Sequence, residues 1–420
     1  MTEKEIPKPD RAVLVGLIQK GESLEALDRS MDELEGLLNT AGGECIARLT
    51  QSKDAPDART MIGSGKAAEL AYLCACNDID LVVFDCELSP SQIRNLENIV
   101  GENTRVIDRS MLILDIFALH AVTGEGKLQV ELAQLKYTAP RLVGKGAKLS
   151  RQGGGIGTRG PGETQLESDR RHLHTKITSL EARLRELEHN RGVMRAQRDK
   201  SGLVKIAVVG YTNAGKSTLL NRLTGASVLA EDKLFATLDP TTRKLLLPCG
   251  ETVLLTDTVG FIRKLPHHLV EAFKSTLDEV KYADVLMIVS DITDPEVREH
   301  IEVTEGIISE LSAESKPRIY VYNKADKQDE TYYTVPQDNT VVISAKEGRG
   351  IDTLLETIEK VIHDGKTECE LLIPYNEQSK VSLLYDNYTV ISVDYVDDGI
   401  SVKAILGADE RGMFAKYIVD

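Results

Sequence analysis

The chain has 420 residues, more than one core usually organises, so two to four domains are expected. Apolar residues make up 41% and charged residues 28%, an ordinary soluble balance; no apolar run approaches the ~20 residues of a membrane span, and Met1 to Arg11 holds no apolar signal region, so a cytoplasmic protein with no membrane association is expected. A formal charge of −15 argues, for the chain as a whole, against nucleic acid.

The expected fold class is α/β, beginning with an α/β layer domain over residues 1–124. Strands are expected at Ala12–Ile18, Cys45–Leu49, Leu81–Cys86 and Thr104–Ile107, and helices at Ser23–Leu38, Lys66–Cys76, Ser89–Val100 and Ser110–Val122. Gly63-Ser64-Gly65-Lys66 lacks the spacing of a phosphate loop and reads as an ordinary loop.

Residues 125–200 change character. From Leu166 through Leu173, Ile177, Leu180, Leu184 and Leu187 to Met194, apolar residues recur at steps of 7, 4, 3, 4, 3 and 7, a heptad seam. Leu128, Leu132, Leu135, Ala139, Leu142 and Leu149 form a weaker one, with a kink expected at Pro140. Between them, Arg151 to Gly162 holds six glycines and a proline and cannot continue a helix. An antiparallel helical hairpin with a glycine-rich tip is expected. Residues 126–200 carry 16 Lys/Arg against 8 Asp/Glu, net +8, which leaves −23 on the rest. Leu132 to Gly162 contains no acid, while Lys136, Arg141, Lys145, Lys148, Arg151 and Arg159 all lie there, so an external phosphate backbone is their expected partner.

Residues 201–365 return to strand–helix alternation. Strands at Val204–Val209, Lys244–Leu247, Val253–Thr256, Val285–Ser290, Ile319–Tyr322 and Val341–Ile343 suit a six-stranded, mainly parallel P-loop domain. Residues 366–420 read as a small α+β domain with strands Glu370–Ile373, Thr389–Val396 and Ser401–Leu406 and a turn at Asp397-Asp398-Gly399. The six cysteines form no CxxC pair and read as reduced buried thiols; His172, His174, His267 and His268 read as surface residues.

Four motifs carry chemistry. Gly210-Tyr211-Thr212-Asn213-Ala214-Gly215-Lys216-Ser217 follows an apolar strand and opens a helix, the context a phosphate-binding loop requires. Its amides would cradle phosphates, Lys216 would reach the β- and γ-phosphates, and the Ser217 hydroxyl would bind Mg²⁺. Asp257-Thr258-Val259-Gly260 ends a strand 41 residues past Lys216, so Asp257 can hold Mg²⁺ and the Gly260 amide can face the γ-phosphate. Asn323-Lys324-Ala325-Asp326 places a carboxylate where it can accept both the N1–H and the amino group of guanine, a donor pair adenine lacks. Ser344-Ala345-Lys346 fits the last loop, which meets the guanine oxygen through its backbone.

Phe235-Ala236-Thr237-Leu238-Asp239, running on to Thr242, is the first switch; spacing leaves Thr237, Thr241 and Thr242 open as the residue that closes on Mg²⁺. Phe261 stands where many GTPases place a water-orienting Gln, so slow intrinsic hydrolysis is expected. Asn213 leaves two readings: it helps bind K⁺ beside the nucleotide, or it only shapes the loop.

The chain resembles the HflX family of translational GTPases over about residues 11–364. The resemblance is carried by Leu114–His120, Gly126–Leu135, Ser150–Leu166, Gly210–Ser217 and Phe235–Arg243. It implies GTP/GDP as ligand, the large ribosomal subunit and its rRNA as partner, ribosome splitting under stress, the Mg²⁺ role for Thr237, and an apolar residue at Phe261. Lys145, Lys148, Arg151 and Arg159 are then the expected RNA contacts, and a monomer is expected. Two other readings stand beside it: a GTPase of large-subunit assembly, and a regulatory GTPase whose hairpin takes a protein partner.

Overall fold

In the computed structural model of the chain, the described residues are 9–21, 23–142, 161–199, 203–225, 234–235, 238, 240–264, 274–327, 338–364 and 367–419. They belong to two compact units. The first comprises Met1–Glu188 with Glu231–Asp239 and Lys264–Lys274, the second His189–Ala230, Pro240–Arg263 and Ser275–Asp420. No helix among the described residues is long and apolar enough to cross a membrane.

The first unit is built on β1 (Arg11–Ile18), β2 (Glu44–Ser52), β3 (Leu81–Phe84) and β4 (Arg105–Asp108), all parallel in the order β2-β1-β3-β4. Every residue of β1 after Arg11 is buried, as a strand covered on both faces requires. The helices α1 (Leu24–Thr40), α2 (Ser64–Cys76), α3 (Pro90–Val100) and α4 (Arg109–His120) start on local signals. Ser89 and Gln92 cap α3 reciprocally with Pro90 in its first turn, and the Asp108 carboxylate accepts from the Met111 amide to open α4. Each expected element is present, with ends displaced by a residue or more. One expectation is overturned: Gly63–Lys66 is not a loop but the cap and first turn of α2.

Two long helices complete this unit, α5 (Gly124–Leu142) and α6 (Pro161–Asp199), the latter continuing into the second. Lys136 pairs with Glu181 at 2.7 Å and Lys176 with Glu131 at 2.6 Å. The partners advance together, Glu131 with Lys176 and Lys136 with Glu181, so these two pairs do not show the antiparallel arrangement that was expected. Leu180 is buried and Leu173, Ile177, Leu184 and Leu187 are half-buried, while their neighbours on α6 are mostly exposed. Pro140 falls in the last turn of α5, which runs on to Leu142. Lys136 corrects the expectation that the basic residues of this stretch face no local acid: Glu181 is its partner. Lys145, Lys148, Arg151 and Arg159 lie outside the described residues, as does most of the glycine-rich tip.

The second unit holds two sheets. β5 (Lys205–Val209), β6 (Thr241–Leu246), β7 (Thr252–Asp257), β8 (Val285–Asp291), β9 (Arg318–Asn323) and β10 (Thr340–Val342) lie in the order β10-β9-β8-β5-β7-β6, parallel except for β6. Against it pack α7 (Lys216–Thr224), α9 (Val297–Glu310) and α10 (Ile351–Ile362), while α8 (Lys274–Tyr282) starts at the boundary between units. Ile206, Val208, Val253, Leu255, Met287, Val289, Ile319 and Val321 are almost fully buried and form the centre of the core. The other sheet, antiparallel in the order β12-β13-β11-β14, consists of β11 (Thr367–Ile373), β12 (Thr389–Val396), β13 (Gly399–Leu406) and β14 (Ile418–Val419), with α11 (Ser379–Asn387) and α12 (Ala408–Phe414). Val396 pairs with Gly399, so Asp397 and Asp398 make the expected tight turn. All six cysteines are free, but only Cys74 and Cys369 are buried, whereas Cys76 and Cys249 are exposed, which corrects the expectation of buried thiols.

Candidate active site

The loop from Gly210 to Gly215 leaves β5 and enters α7 through backbone conformations that its glycines permit. Gly210 has φ of 144°, and a Cβ there would come within 2.1 Å of the Val289 carbonyl oxygen. Gly215 has φ of 91°, and a Cβ would meet the Asn323 amide nitrogen at 2.3 Å. Asn213 is exposed and takes a left-handed φ of 59°, which Asn tolerates better than most residues.

Lys216 reaches back over this loop. Its ammonium donates to the carbonyls of Gly210 at 3.1 Å and Tyr211 at 2.9 Å, and burial pushes its pKa down to about 8 while Asp257 pulls the other way. A buried cation held by two carbonyls, at the start of a helix, is suited to a polyanion. Beside it the Ser217 hydroxyl donates to the fully buried Asp257 carboxylate at 2.6 Å.

The segment after Asp257 lies against the loop. Thr258 donates to the Val208 carbonyl at 2.8 Å. The Phe261 amide donates to the Gly210 carbonyl at 3.0 Å, and the Thr212 amide to the Phe261 carbonyl at 2.7 Å. A Cβ on Gly260 would stand 2.7 Å from the Thr212 Cα and 3.0 Å from the Lys216 nitrogen, so the approach of the two segments depends on glycine. Phe261 and Ile262 are each 1% exposed.

The remaining two motifs meet through Asn323. Its side-chain amide donates to the Ala214 carbonyl at 2.9 Å, and its side-chain oxygen accepts from the Ala345 amide at 3.0 Å. One residue thus braces the phosphate loop, the Asn323–Asp326 loop and the Ser344–Lys346 loop; the sequence reading had placed it only among nucleotide contacts. Lys324 pairs with Asp291 at 2.7 Å; burial raises the Asp291 carboxyl, but the bonds from Lys324 and Thr293 outweigh it and hold it low. Ser344 donates to Asp326 at 2.6 Å, and that bond lowers the Asp326 pKa and favours its ionised form. Ala325 and Ala345 are buried, while Lys346 is exposed.

The residues expected to form the first switch divide. Ala236, Thr237 and Asp239 lie outside the described residues. Thr241 and Thr242 stand in β6, opposite Asp257 and Thr256, and the Thr242 and Thr256 hydroxyls are 2.9 Å apart. Phe235 packs edge-on against Phe117, ring centroids 4.8 Å apart, within the first unit, and Leu238 is also buried. The Phe235 ring therefore serves packing. His172 and His174 are exposed, as expected, and His267 and His268 lie outside the described residues.

Partners more distant in the chain were not legible. His300 of α9 stacks on Tyr211 with centroids 3.7 Å apart, and the Tyr211 hydroxyl accepts from the Arg263 amide at 2.9 Å. The Arg263 guanidinium pairs with Glu296 and Glu299, each at 2.8 Å. A lone Tyr and a lone His separated by 89 positions carry no local periodicity that would announce a stack.

Comparison with known proteins covers nearly the whole chain. Residues 28–118 match the family described as GTP-binding GTPase N-terminal, 120–198 the GTP-binding GTPase Middle Region, 205–324 the 50S ribosome-binding GTPase, and 333–412 the HflX C-terminal domain. The chain is 50% identical to the GTPase HflX of Caldanaerobacter subterraneus subsp. tengcongensis, over 98% of this chain and 94% of that one. It is 44% identical to the GTPase HflX of Escherichia coli K12, over 89% of each. Among solved structures, a GTP-binding protein of Sulfolobus solfataricus in complex with GDP is similar at 24% identity and a TM-score of 0.45, over 84% of this chain and 99% of that one.

Proposed function

The chain belongs to the HflX family of GTPases, and from that premise we propose that it binds the large ribosomal subunit and uses its GTP cycle to split or rescue ribosomes, as a cytoplasmic monomer. It binds GTP and GDP and hydrolyses GTP. The observation that carries the ribosomal reading is the basic hairpin: residues 126–200 have net charge +8 on a chain of −15, with no acid between Leu132 and Gly162. Lys145, Lys148, Arg151 and Arg159 are assigned to rRNA phosphates. The matched family described as 50S ribosome-binding GTPase supports the same partner.

Within the G domain, the proposal gives the β- and γ-phosphates to the loop amides of Gly210–Ser217 and to Lys216, which already stands over that loop. Ser217 and Asp257, 2.6 Å apart, offer the hard oxygen donors that Mg²⁺ favours, and Thr237 completes the set. The ion would neutralise charge on the phosphates. Gly260 offers its amide to the γ-phosphate, Asp326 reads guanine, and Ser344–Lys346 contact the base through backbone. With Phe261 buried and unable to orient water, intrinsic turnover is slow, and Asn213 is proposed to bring K⁺ to the phosphates.

Sedimentation of whole ribosomes with the protein and a non-hydrolysable GTP analogue tests the function. Separation into subunits supports it; binding to free large subunits alone favours the assembly reading. Arg151→Ala with Arg159→Ala should weaken pelleting with large subunits, with a shallower dependence on salt and no change in GTP affinity. Pelleting equal to wild type at two salt concentrations would move the RNA contact elsewhere.

A further inference from the structure

The apolar run of β8 gives way at its end to Ser290-Asp291-Ile292-Thr293. Asp291 is the last residue of the strand and lies in register with Asn323, the last residue of β9. The Ile292 amide donates to the Asn323 carbonyl at 3.0 Å. Parallel pairing therefore delivers a carboxylate to the first residue of the Asn323–Asp326 loop, 32 positions away in the chain. All of these residues belong to the second compact unit.

The Asp291 carboxylate is held from two sides. One oxygen accepts from the Thr293 amide at 3.0 Å and from the Thr293 hydroxyl at 2.7 Å. The other meets the Lys324 ammonium at 2.7 Å. Only 18% of the Lys324 side chain and 20% of the Asp291 side chain are exposed, and charges so withdrawn from water persist where they are matched. The loop itself is fixed by backbone bonds: the Ala325 amide donates to the Ile343 carbonyl at 3.1 Å, and the Lys327 amide to the Lys324 carbonyl at 3.0 Å. Lys324 takes a left-handed φ of 66°, which costs a side-chain-bearing residue free energy and is kept where surrounding contacts over-determine it. From that backbone the Lys324 side chain turns to β8.

A second carboxylate lies within range of the same ammonium. Asp326 follows Lys324 by two positions, so their Cα atoms stand at most about 7.6 Å apart, a gap that two opposed side chains can close. Asp326 instead accepts from Ser344 at 2.6 Å. Guanine asks this carboxylate to accept from its N1–H and its amino group together, and an ammonium seated there would take up one of the oxygens. We propose that Asp291 is a specificity-determining positioning residue: it holds the Lys324 ammonium at the end of β8 and so keeps Asp326 open to guanine. Thr293 presets the Asp291 carboxylate, so the lysine is captured with little reorganisation. The device rests on the reading of Asp326 as the guanine acceptor and adds to it the residue that protects that acceptor from its own neighbour.

The test is equilibrium binding of GDP and of inosine diphosphate to the full-length chain without ribosomes. Inosine keeps the N1–H and lacks the amino group, so the ratio of the two affinities reads the Asp326 carboxylate and cancels changes that weaken both nucleotides alike. Asp291→Asn keeps the size of the side chain and an oxygen for Thr293 but loses the charge that holds Lys324. It should lower the preference for GDP about ten-fold, as expected when one hydrogen bond to an ionised group is lost. Adding Lys324→Ala to Asp291→Asn removes the competitor and should restore the preference, a suppression that general damage to the loop would not produce. Lys324→Ala alone should keep the preference, and Asp291→Glu, which retains the charge, should keep most of it. The Lys324→Ala arm stands even if Asp291→Asn fails to fold: a preference lost there would show that Lys324 itself reads the base and would overturn the proposal. An undiminished preference in Asp291→Asn, or a double variant no better than Asp291→Asn, would overturn it as well while leaving Asp326 as the acceptor. Equal binding of the two diphosphates by wild type would instead remove the Asp326 reading, and the proposal with it.

Discussion

The phosphate loop and the helical hairpin handle charge in opposite ways. Around the loop, Lys216, Asp257 and Asn323 are 6%, 0% and 3% exposed; backbone groups hold Lys216 and Asn323, and the Ser217 hydroxyl meets Asp257. Along the hairpin the described charges are solvated: Lys136 is 54% exposed and Glu181 35%. In the first region a charge is costly to bury and therefore has one permitted geometry. In the second, charges sit in water, screened and mobile, so their number and sign matter more than any one placement. A buried charge should thus behave as a specific part and a hairpin charge as one share of a field.

The largest effect expected from this contrast is at Lys216. Lys216→Ala should lower turnover on the order of 10²–10³-fold, because the charge aimed at the phosphates is removed from a site that excludes water. Single-turnover measurement at saturating GTP checks it; a loss of less than ten-fold would make the loop no more specific than the hairpin. Asp326→Asn should weaken GTP binding about 10- to 100-fold, the range for losing a hydrogen bond to an ionised group, and should improve binding of xanthosine triphosphate. Equal loss of both nucleotides would show that the substitution only disturbs Ser344.

pH sharpens the comparison further. The free Lys216 ammonium has a pKa of about 8, lowered by burial, and bound phosphates must raise it. GTP affinity should therefore be flat below about pH 7 and fall as pH rises through 8, by up to ten-fold per unit, with a proton taken up on binding. Calorimetry in two buffers of different ionisation enthalpy detects that proton. Proton release, or none at pH 8.5, would contradict the lowered pKa. The smallest effect belongs to the hairpin: Lys136→Ala should cost about 0–1 kcal/mol of stability, as exposed pairs do, and thermal unfolding should barely move. A loss above 2 kcal/mol would mean that Lys136 and Glu181 are not a solvated pair.

Some of this was readable in the chain because the signal is local. A phosphate loop needs its glycines, lysine and serine within eight consecutive residues, and both Gly210 and Gly215 do adopt the positive φ that the motif implies. The strands were legible because those covered on both faces read as continuous apolar runs, as in Val285–Ser290. The seam on α6 was legible because helical burial repeats along one segment. Gly63–Lys66 misled because a glycine pair resembles a loop until the helix after it supplies its hydrogen bonds.

The amino-acid sequence by itself determined the family, the nucleotide motifs, the order of helices and strands, and the concentration of positive charge in residues 126–200, since all of these depend on residue type and spacing. Only the tertiary structure decided that Asn323 braces three loops, that Asp291 partners Lys324, that Phe235 packs on Phe117, and that Arg263 and Lys264 turn to acids 33 and 179 positions away. Each of these is a pairing between residues far apart in the chain. Many acids in the chain could satisfy a given cation equally well on paper, and what selects one is the packing of sheets and helices that brings it within about 3 Å and removes the water that would otherwise compete.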